Sequence, residues 1–217
     1  SLSKPKNPMV RYYLAWLLKK TGKPDQAKEM LTAAGKMPYD YCFPFRETSQ
    51  RILKYAVEKD TQNAVAFYLQ GNLLYDRRPS EAIQAWQTAS QIEACFPMVW
   101  RNLAFAAFYQ QNDVDKAISY MKKAIATDAT QPSWYAEVEN YYDLSKKDFK
   151  ECLTLFEKNL DIVKQDITAP QKLVKLYNLN GEYDKAIDLL RTHHFRTWEG
   201  AREIHEFYVD THVLKAL

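Results

Sequence analysis

The chain has 217 residues, a length that fits one domain or one continuous array rather than several independent modules. Only 5 Gly and 9 Pro leave little turn material, while 47% hydrophobic and 14% aromatic residues supply ample core; sandwiches, collagen-like repeats and disordered tails are disfavoured, and an all-α fold is favoured. The 30 Lys and Arg exceed the 27 Asp and Glu by a formal charge of only +3, spread along the chain, so nucleic acid is not implied as a partner.

The opening SLSKPKNP has neither an initiator Met nor an apolar signal core, and reads as an artificial junction beyond which any targeting signal of the natural protein would lie. No uninterrupted apolar run approaches the roughly 18 residues that a membrane helix needs, so no membrane partner is expected. Helices are expected over 9–20, 25–36, 46–59, 63–76, 80–93, 98–110, 114–127, 133–145, 148–163, 169–179, 183–193 and 200–215. Cys42, Cys95 and Cys152 are far apart, odd in number and without CxxC or zinc-type spacing. They read as small buried hydrophobes and free thiols, which leans toward a cytoplasmic location.

Internal periodicity organises these helices. A small residue opens the second helix of each hairpin: Ala82 in EAIQAW, Ala117 in KAISYM, Cys152 in ECLTLF and Ala186 in KAIDLL, spaced by 35, 35 and 34 residues. Four residues after each stands a large side chain, Trp86, Met121, Phe156 or Leu190, and two of the repeats add Ala89 and Ala124. The result is one apolar stripe whose small residues mark where helices approach closely. The first helices carry Leu14-Ala15, Leu103-Ala104 and Leu173-Val174, with Trp100 and Trp134 leading and Tyr177 later. Pro97, Pro132 and Pro170 lie at first turns, where a missing amide costs little. Gly22 and Gly181 fall between paired helices, where positive φ ends the first helix.

These residues resemble the tetratricopeptide repeat (TPR) family over nearly the whole chain. GEYDKAIDLL is a strong match, whereas WYAEVENYYDLSKKDFKECLTLF departs from the pattern by a loop longer by about two residues. The resemblance implies a superhelix of antiparallel helix hairpins with a right-handed twist, forming a single array with repeats at about 8–38, 63–96, 97–130, 131–165 and 167–195. Ala27 and Ala82 are 55 residues apart, so FPFRETSQRILKYAVEKD is expected as an extra helix at about 45–60 that bends the array. The last helix, at about 200–217, carries Ile204, Phe207, Tyr208 and Val213; it is either a solvating cap or a point where a longer protein was cut. FYLQGNLLYDRRPSEAIQAW, FPMVWRNLA and FRTWEGAREIHEFY resemble more narrowly the C-terminal TPR portion of large bacterial proteins with a mutarotase-like β-sandwich of uncharacterised function, which implies a role in glycan metabolism.

In such a superhelix the first helices line the concave groove. That family geometry selects Tyr12 and Trp16, then Tyr68, Asn72 and Tyr75, then Arg101, Phe105 and Phe108, then Tyr135, Glu139 and Tyr142, and finally Gln171, Lys175 and Asn178. Each of these rings either faces a ligand or packs between hairpins. An aromatic groove with a few polar groups suits an extended peptide, a partner helix or a sugar face. The function expected is a non-catalytic protein–protein interaction scaffold that binds a peptide, a partner protein or another domain of its own chain. The alternative is an accessory domain of a carbohydrate-active bacterial enzyme, contacting glycan or an adjoining catalytic β-sandwich.

Other chemistries find less support. A carboxylate clamp for chaperone tails needs Lys and Asn where Tyr12 and Trp16 stand, leaving only Asn72 and Arg101 in place. His193, His194, His205 and His212 cluster near the end of the chain without HExxH or an i,i+4 pair, so no metal is expected; Phe195 and Trp198 are expected instead to pin the last helix. Glu139 and Asp143 share a face at i,i+4 but read as solvated acids rather than an acid/base pair. GxSxG and GxGxxG are absent, and no cofactor is expected.

Overall fold

The computed structural model describes residues 7–145, 147–196 and 203–217. Among them are thirteen α-helices and no strand, and helices adjacent in sequence pack as pairs. Backbone contacts divide the chain into two units, Ser1–Ala106 and Ala107–Leu217, and each is described by itself.

The first unit contains α1 (Pro8–Lys20), α2 (Pro24–Gly35), α3 (Glu47–Lys59), α4 (Ala64–Leu74), α5 (Pro79–Ile92) and the part of α6 (Pro97–Tyr109) up to Ala106. α1 pairs with α2 and α4 with α5, while α3 packs on both α1 and α4. Proline opens α1, α2 and α5, because its fixed φ suits the first turn and its missing amide has no partner there. At the end of α1, Gly22 adopts φ +75° and lets Lys23 N–H reach Leu18 O at 2.9 Å, closing the helix.

The second unit contains α7 (Val114–Thr127), α8 (Pro132–Ser145), α9 (Phe149–Glu157), α10 (Leu160–Val163), α11 (Ala169–Leu179), α12 (Tyr183–Thr192) and α13 (Glu203–Ala216). α8 packs on α7 and α9, α11 on α8, α9 and α12, and α13 on α11 and α12. Gly181 repeats the Gly22 device, with φ +74° and Glu182 N–H on Tyr177 O at 2.9 Å. The single helix expected over 148–163 is broken into α9 and α10. Asn159 at the break donates from Nδ2 to Leu155 O at 3.0 Å, and this side chain competes with the backbone for that carbonyl.

The small anchor residues lie where the period puts them: Ala27, Ala82, Ala117, Cys152 and Ala186 are all fully buried. Their following large residues Leu31, Trp86, Met121 and Phe156 are buried as well, whereas Leu190 is only half-buried and Leu189 fills the core in its place. Leu14 departs from its counterparts Leu103 and Leu173 by being exposed. Cys95 also departs: it is exposed rather than buried, because it lies in the turn between α5 and α6, while Cys42 and Cys152 are buried. Trp198 lies outside the described residues. Its neighbour Phe195 is half-buried against the His193 ring, with centroids 4.8 Å apart.

Candidate functional site

The groove candidates fall into two groups, one in each unit. In the first unit, α4 supplies Tyr68, Asn72 and Tyr75, and α6 supplies Arg101 and Phe105. Tyr68 is buried in a ring cluster with Tyr39 at 5.2 Å and Phe96 at 5.0 Å. Burial pushes its hydroxyl pKa up, opposed by a hydrogen bond with Asn72. Asn72 Oδ1 accepts from Trp86 Nε1 at 3.1 Å and from Asn102 Nδ2 at 2.9 Å. An indole N–H can only donate, so the orientation of the Asn72 carboxamide is set. Tyr75 stacks on Trp86 at 5.2 Å and meets Phe105 edge-on at 5.8 Å, and the Arg101 guanidinium lies 5.3 Å from the Phe105 ring. Asn72, Tyr75, Arg101 and Phe105 are half-buried, which leaves part of each side chain in contact with solvent.

Trp86 can take this place only because residue 71 is glycine. A Cβ on Gly71 would stand 2.3 Å from Trp86 Nε1, so the glycine serves close packing rather than backbone freedom. Behind the row lies a second polar centre that the sequence reading missed. Asn63 caps α4 by accepting from Ala66 N–H, accepts the Tyr12 hydroxyl at 2.8 Å, and donates to Leu31 O at 3.0 Å and Asp60 Oδ2 at 3.1 Å. Tyr12 is therefore a fully buried member of this centre, its pKa driven far up by burial and then by nearby Asp60. Trp16 is half-buried beneath Lys20, whose ammonium lies 4.0 Å from the ring centroid.

In the second unit, α8 supplies Tyr135, Glu139 and Tyr142, and α11 supplies Lys175. The three α8 residues are buried and turned to internal partners. The Tyr135 hydroxyl donates to Ala129 O at 3.0 Å, and burial followed by the Asp128 charge pushes its pKa up to about 12. The Tyr142 hydroxyl donates to Glu151 Oε2 at 2.5 Å, and Lys122 holds the other oxygen of that carboxylate. Glu139 is fully buried and receives Lys172 at 2.5 Å on one oxygen and Lys175 at 2.9 Å on the other. Lys175 also bridges to Asp143 at 2.6 Å, and Lys172 to Asn140 at 2.6 Å. Burial works against the Lys175 charge, yet its hydrogen bonds to Asp143 and Glu139 outweigh that effect and raise its pKa.

Of the two acids read as solvated, Glu139 is instead fully buried, while Asp143, one turn on, stays exposed, and Lys175 joins the two. Lys172 was absent from the sequence-derived set, although it stands one turn before Lys175, and that spacing opposite two acids at i,i+4 is the signal that could have found it. Among the remaining candidates, Phe108 packs on Tyr141 at 5.0 Å, Asn178 exchanges hydrogen bonds with the buried Thr211 of α13, and Gln171 is buried.

Among the described residues no group of three or more His, Cys, Asp or Glu is placed to hold a metal ion, and no helix is long and apolar enough to cross a membrane.

A tetratricopeptide repeat model matches residues 9–36, which span α1 and α2. The chain is similar in structure to MamA, with 17% identity over 95% of this chain and 94% of that one and a TM-score of 0.54. It is similar to PilF of Pseudomonas aeruginosa, with 19% identity over 95% and 83% and a TM-score of 0.55. It is also similar to YrrB, described as a TPR protein with an unusual peptide-binding site, with 15% identity over 98% and 93% and a TM-score of 0.53. The paired helices, the buried small anchors and these likenesses agree that the chain has the tetratricopeptide repeat fold.

Proposed function

We propose that the chain is a protein-binding scaffold that takes an extended peptide segment of a partner on the row formed by Asn72, Tyr75, Arg101 and Phe105. The observation that carries this reading is the combination of partial exposure with a fixed carboxamide. Trp86 and Asn102 hold Asn72, while Tyr75, Phe105 and Arg101 offer ring faces and a guanidinium beside it. A peptide backbone needs such paired polar groups, and its side chains need apolar surface; groups already held in place lose little entropy on binding. The peptide-binding site of the structurally similar YrrB is in keeping with this class of ligand. In the second unit Tyr135, Glu139 and Tyr142 are committed to internal bonds, so Lys175 and Asp143 are the groups of that cluster left to meet a ligand.

Selection from a displayed random-peptide library, with a glycan array in parallel, tests the reading. The expected result is a set of peptides whose affinity falls at least tenfold in Arg101→Ala and Phe105→Ala proteins that melt as the parent does. Peptides that bind these variants unchanged, or binding confined to glycans, would overturn it, and the second outcome would favour the carbohydrate-associated role.

A further inference from the structure

A carboxamide has a donor end and an acceptor end of the same shape, so at a surface it can turn over and offer either to a ligand. In the first unit that freedom is removed in two steps. The Trp86 indole N–H can only donate, and it reaches Asn72 Oδ1 at 3.1 Å, closer than the 3.3 Å to Tyr68 O. The same Asn72 oxygen accepts a second bond, from Asn102 Nδ2 at 2.9 Å. The orientation of the Asn102 carboxamide is thereby set in turn, with its own oxygen directed away from that bond.

The side chains of the row proposed for a peptide are rich in donors and poor in acceptors. A guanidinium such as that of Arg101 has no acceptor, and Phe105 has no polar side-chain atom. Asn72 Oδ1 already takes two bonds, one for each lone pair, and the Tyr75 hydroxyl is buried. An extended peptide brings a backbone N–H with nearly every carbonyl, and an N–H that leaves water without finding an acceptor opposes binding. Asn102 stands next to Arg101 on α6 and is half-buried. Among the described residues nothing in the protein donates to its Oδ1, and that atom is not enclosed.

We propose that Asn102 reads the backbone of the bound peptide, its Oδ1 accepting one N–H of the segment, and that Trp86 and Asn72 are positioning residues for that oxygen. The assignment rests on the reading of the row as a peptide site. An acceptor at this place suits a residue inside a segment, whose N–H is available. It offers nothing to a terminal carboxylate, which has no hydrogen to give.

The test uses the 217-residue chain and a peptide selected on it from the displayed library, resynthesised with each backbone N–H replaced in turn by an ester oxygen. One ester is expected to weaken binding to the parent about tenfold, the size of one hydrogen bond whose partner is left unpaired. Asn102→Ala, with Asn102→Leu as a second variant, should bind the unmodified peptide about tenfold more weakly, and there the same ester should matter less than about twofold. Trp86→Phe keeps a ring in the core but frees Asn72 to turn, so the ester effect should shrink to about threefold; Asn72→Ala breaks the same link without touching that ring. Asn102 variants that melt as the parent does yet keep the full ester effect overturn the assignment. So does a parent in which no single ester matters, or loss of folding in both Asn102 variants, which would make the residue structural. A full ester effect in Trp86→Phe and Asn72→Ala overturns the positioning role. A library that yields no peptide, or peptides indifferent to Arg101→Ala and Phe105→Ala, overturns the reading of the row itself, and the assignment falls with it.

Discussion

The two units solve the same problem, a polar centre inside stacked helices, with different chemistry. In the first unit the centre is organised by a neutral amide: Asn63 joins α1, α2, α4 and Asp60 of the α3–α4 turn through its carboxamide, with bonds of 2.8 to 3.1 Å. In the second the centre is charged: Glu139 is fully buried between α8 and α11 and is compensated by two lysines whose stems are covered and whose ammonium groups reach solvent-exposed Asp143 and Asn140. A neutral amide pays little desolvation but must have its partners in fixed positions, whereas a buried carboxylate requires compensating charge. The first unit should therefore be sensitive to geometry, and the second to charge balance.

The largest effect is expected from Asn63→Ala. It removes a helix cap, leaves the Tyr12 hydroxyl buried without its partner and takes the second donor from the Leu31 carbonyl, a loss of about 3–5 kcal/mol. Denaturant unfolding of the purified variant measures it, and a loss below about 1 kcal/mol would mean that water replaces the amide and the centre is not closed.

Next is the pair Lys172→Met with Lys175→Met, which leaves Glu139 without its cations. The expected loss is about 2–4 kcal/mol, below the full value for a buried pair because both lysines are about one quarter exposed. Adding Glu139→Leu should recover most of it, as removal of a whole ionic cluster costs less than removal of half. If the triple variant is no more stable than the double, the charge argument fails.

The small anchors give a control that should not distinguish the units. Ala82→Leu and Ala117→Leu each force a larger side chain into a fully buried contact, at about 1–3 kcal/mol. Unfolding of either variant at the parent's denaturant midpoint would show that the helices at that hairpin can move apart.

The smallest effect is acid lability. Glu151 is held below its usual pKa by hydrogen bonds from Lys122 and Tyr142. Asp128 is also lowered: burial acts against it, but bonds from Thr130 and Gln131 outweigh that effect. Each carboxylate binds a proton more readily when unfolded, so its contribution is present above the ordinary carboxylate range and is lost as pH falls below about 4.5. Both are largely solvated, so each contributes less than about 1 kcal/mol. Hydrogen exchange at pH 3.5 against pH 6 should show amides of α8 and α9 losing more protection than those of α1 and α2.

Much of the architecture is legible because it is local. Helix spans follow from the apolar period of 3.6 residues, the proline starts and the glycine stops, and the 34- to 35-residue recurrence of Ala82, Ala117, Cys152 and Ala186 identifies stacked hairpins. The fold and the buried anchors are therefore determined by sequence alone, since each rule involves residues within one or two turns of each other.

The polar centres are not legible in this way. Tyr12 and Asn63 are 51 residues apart, and Glu139 and Lys175 are 36 apart, and nothing within either segment marks one as the partner of the other. A Tyr or Glu on a first helix reads equally as groove lining or as core, and only packing decides that Tyr12, Tyr135 and Glu139 are enclosed while Tyr75, Arg101 and Phe105 are partly open. The same holds for Leu14, which obeys the repeat pattern yet is exposed. Periodicity determines which face of a helix is apolar, but whether that face is covered depends on a neighbour, and burial, charge compensation and ligand access follow from the neighbour.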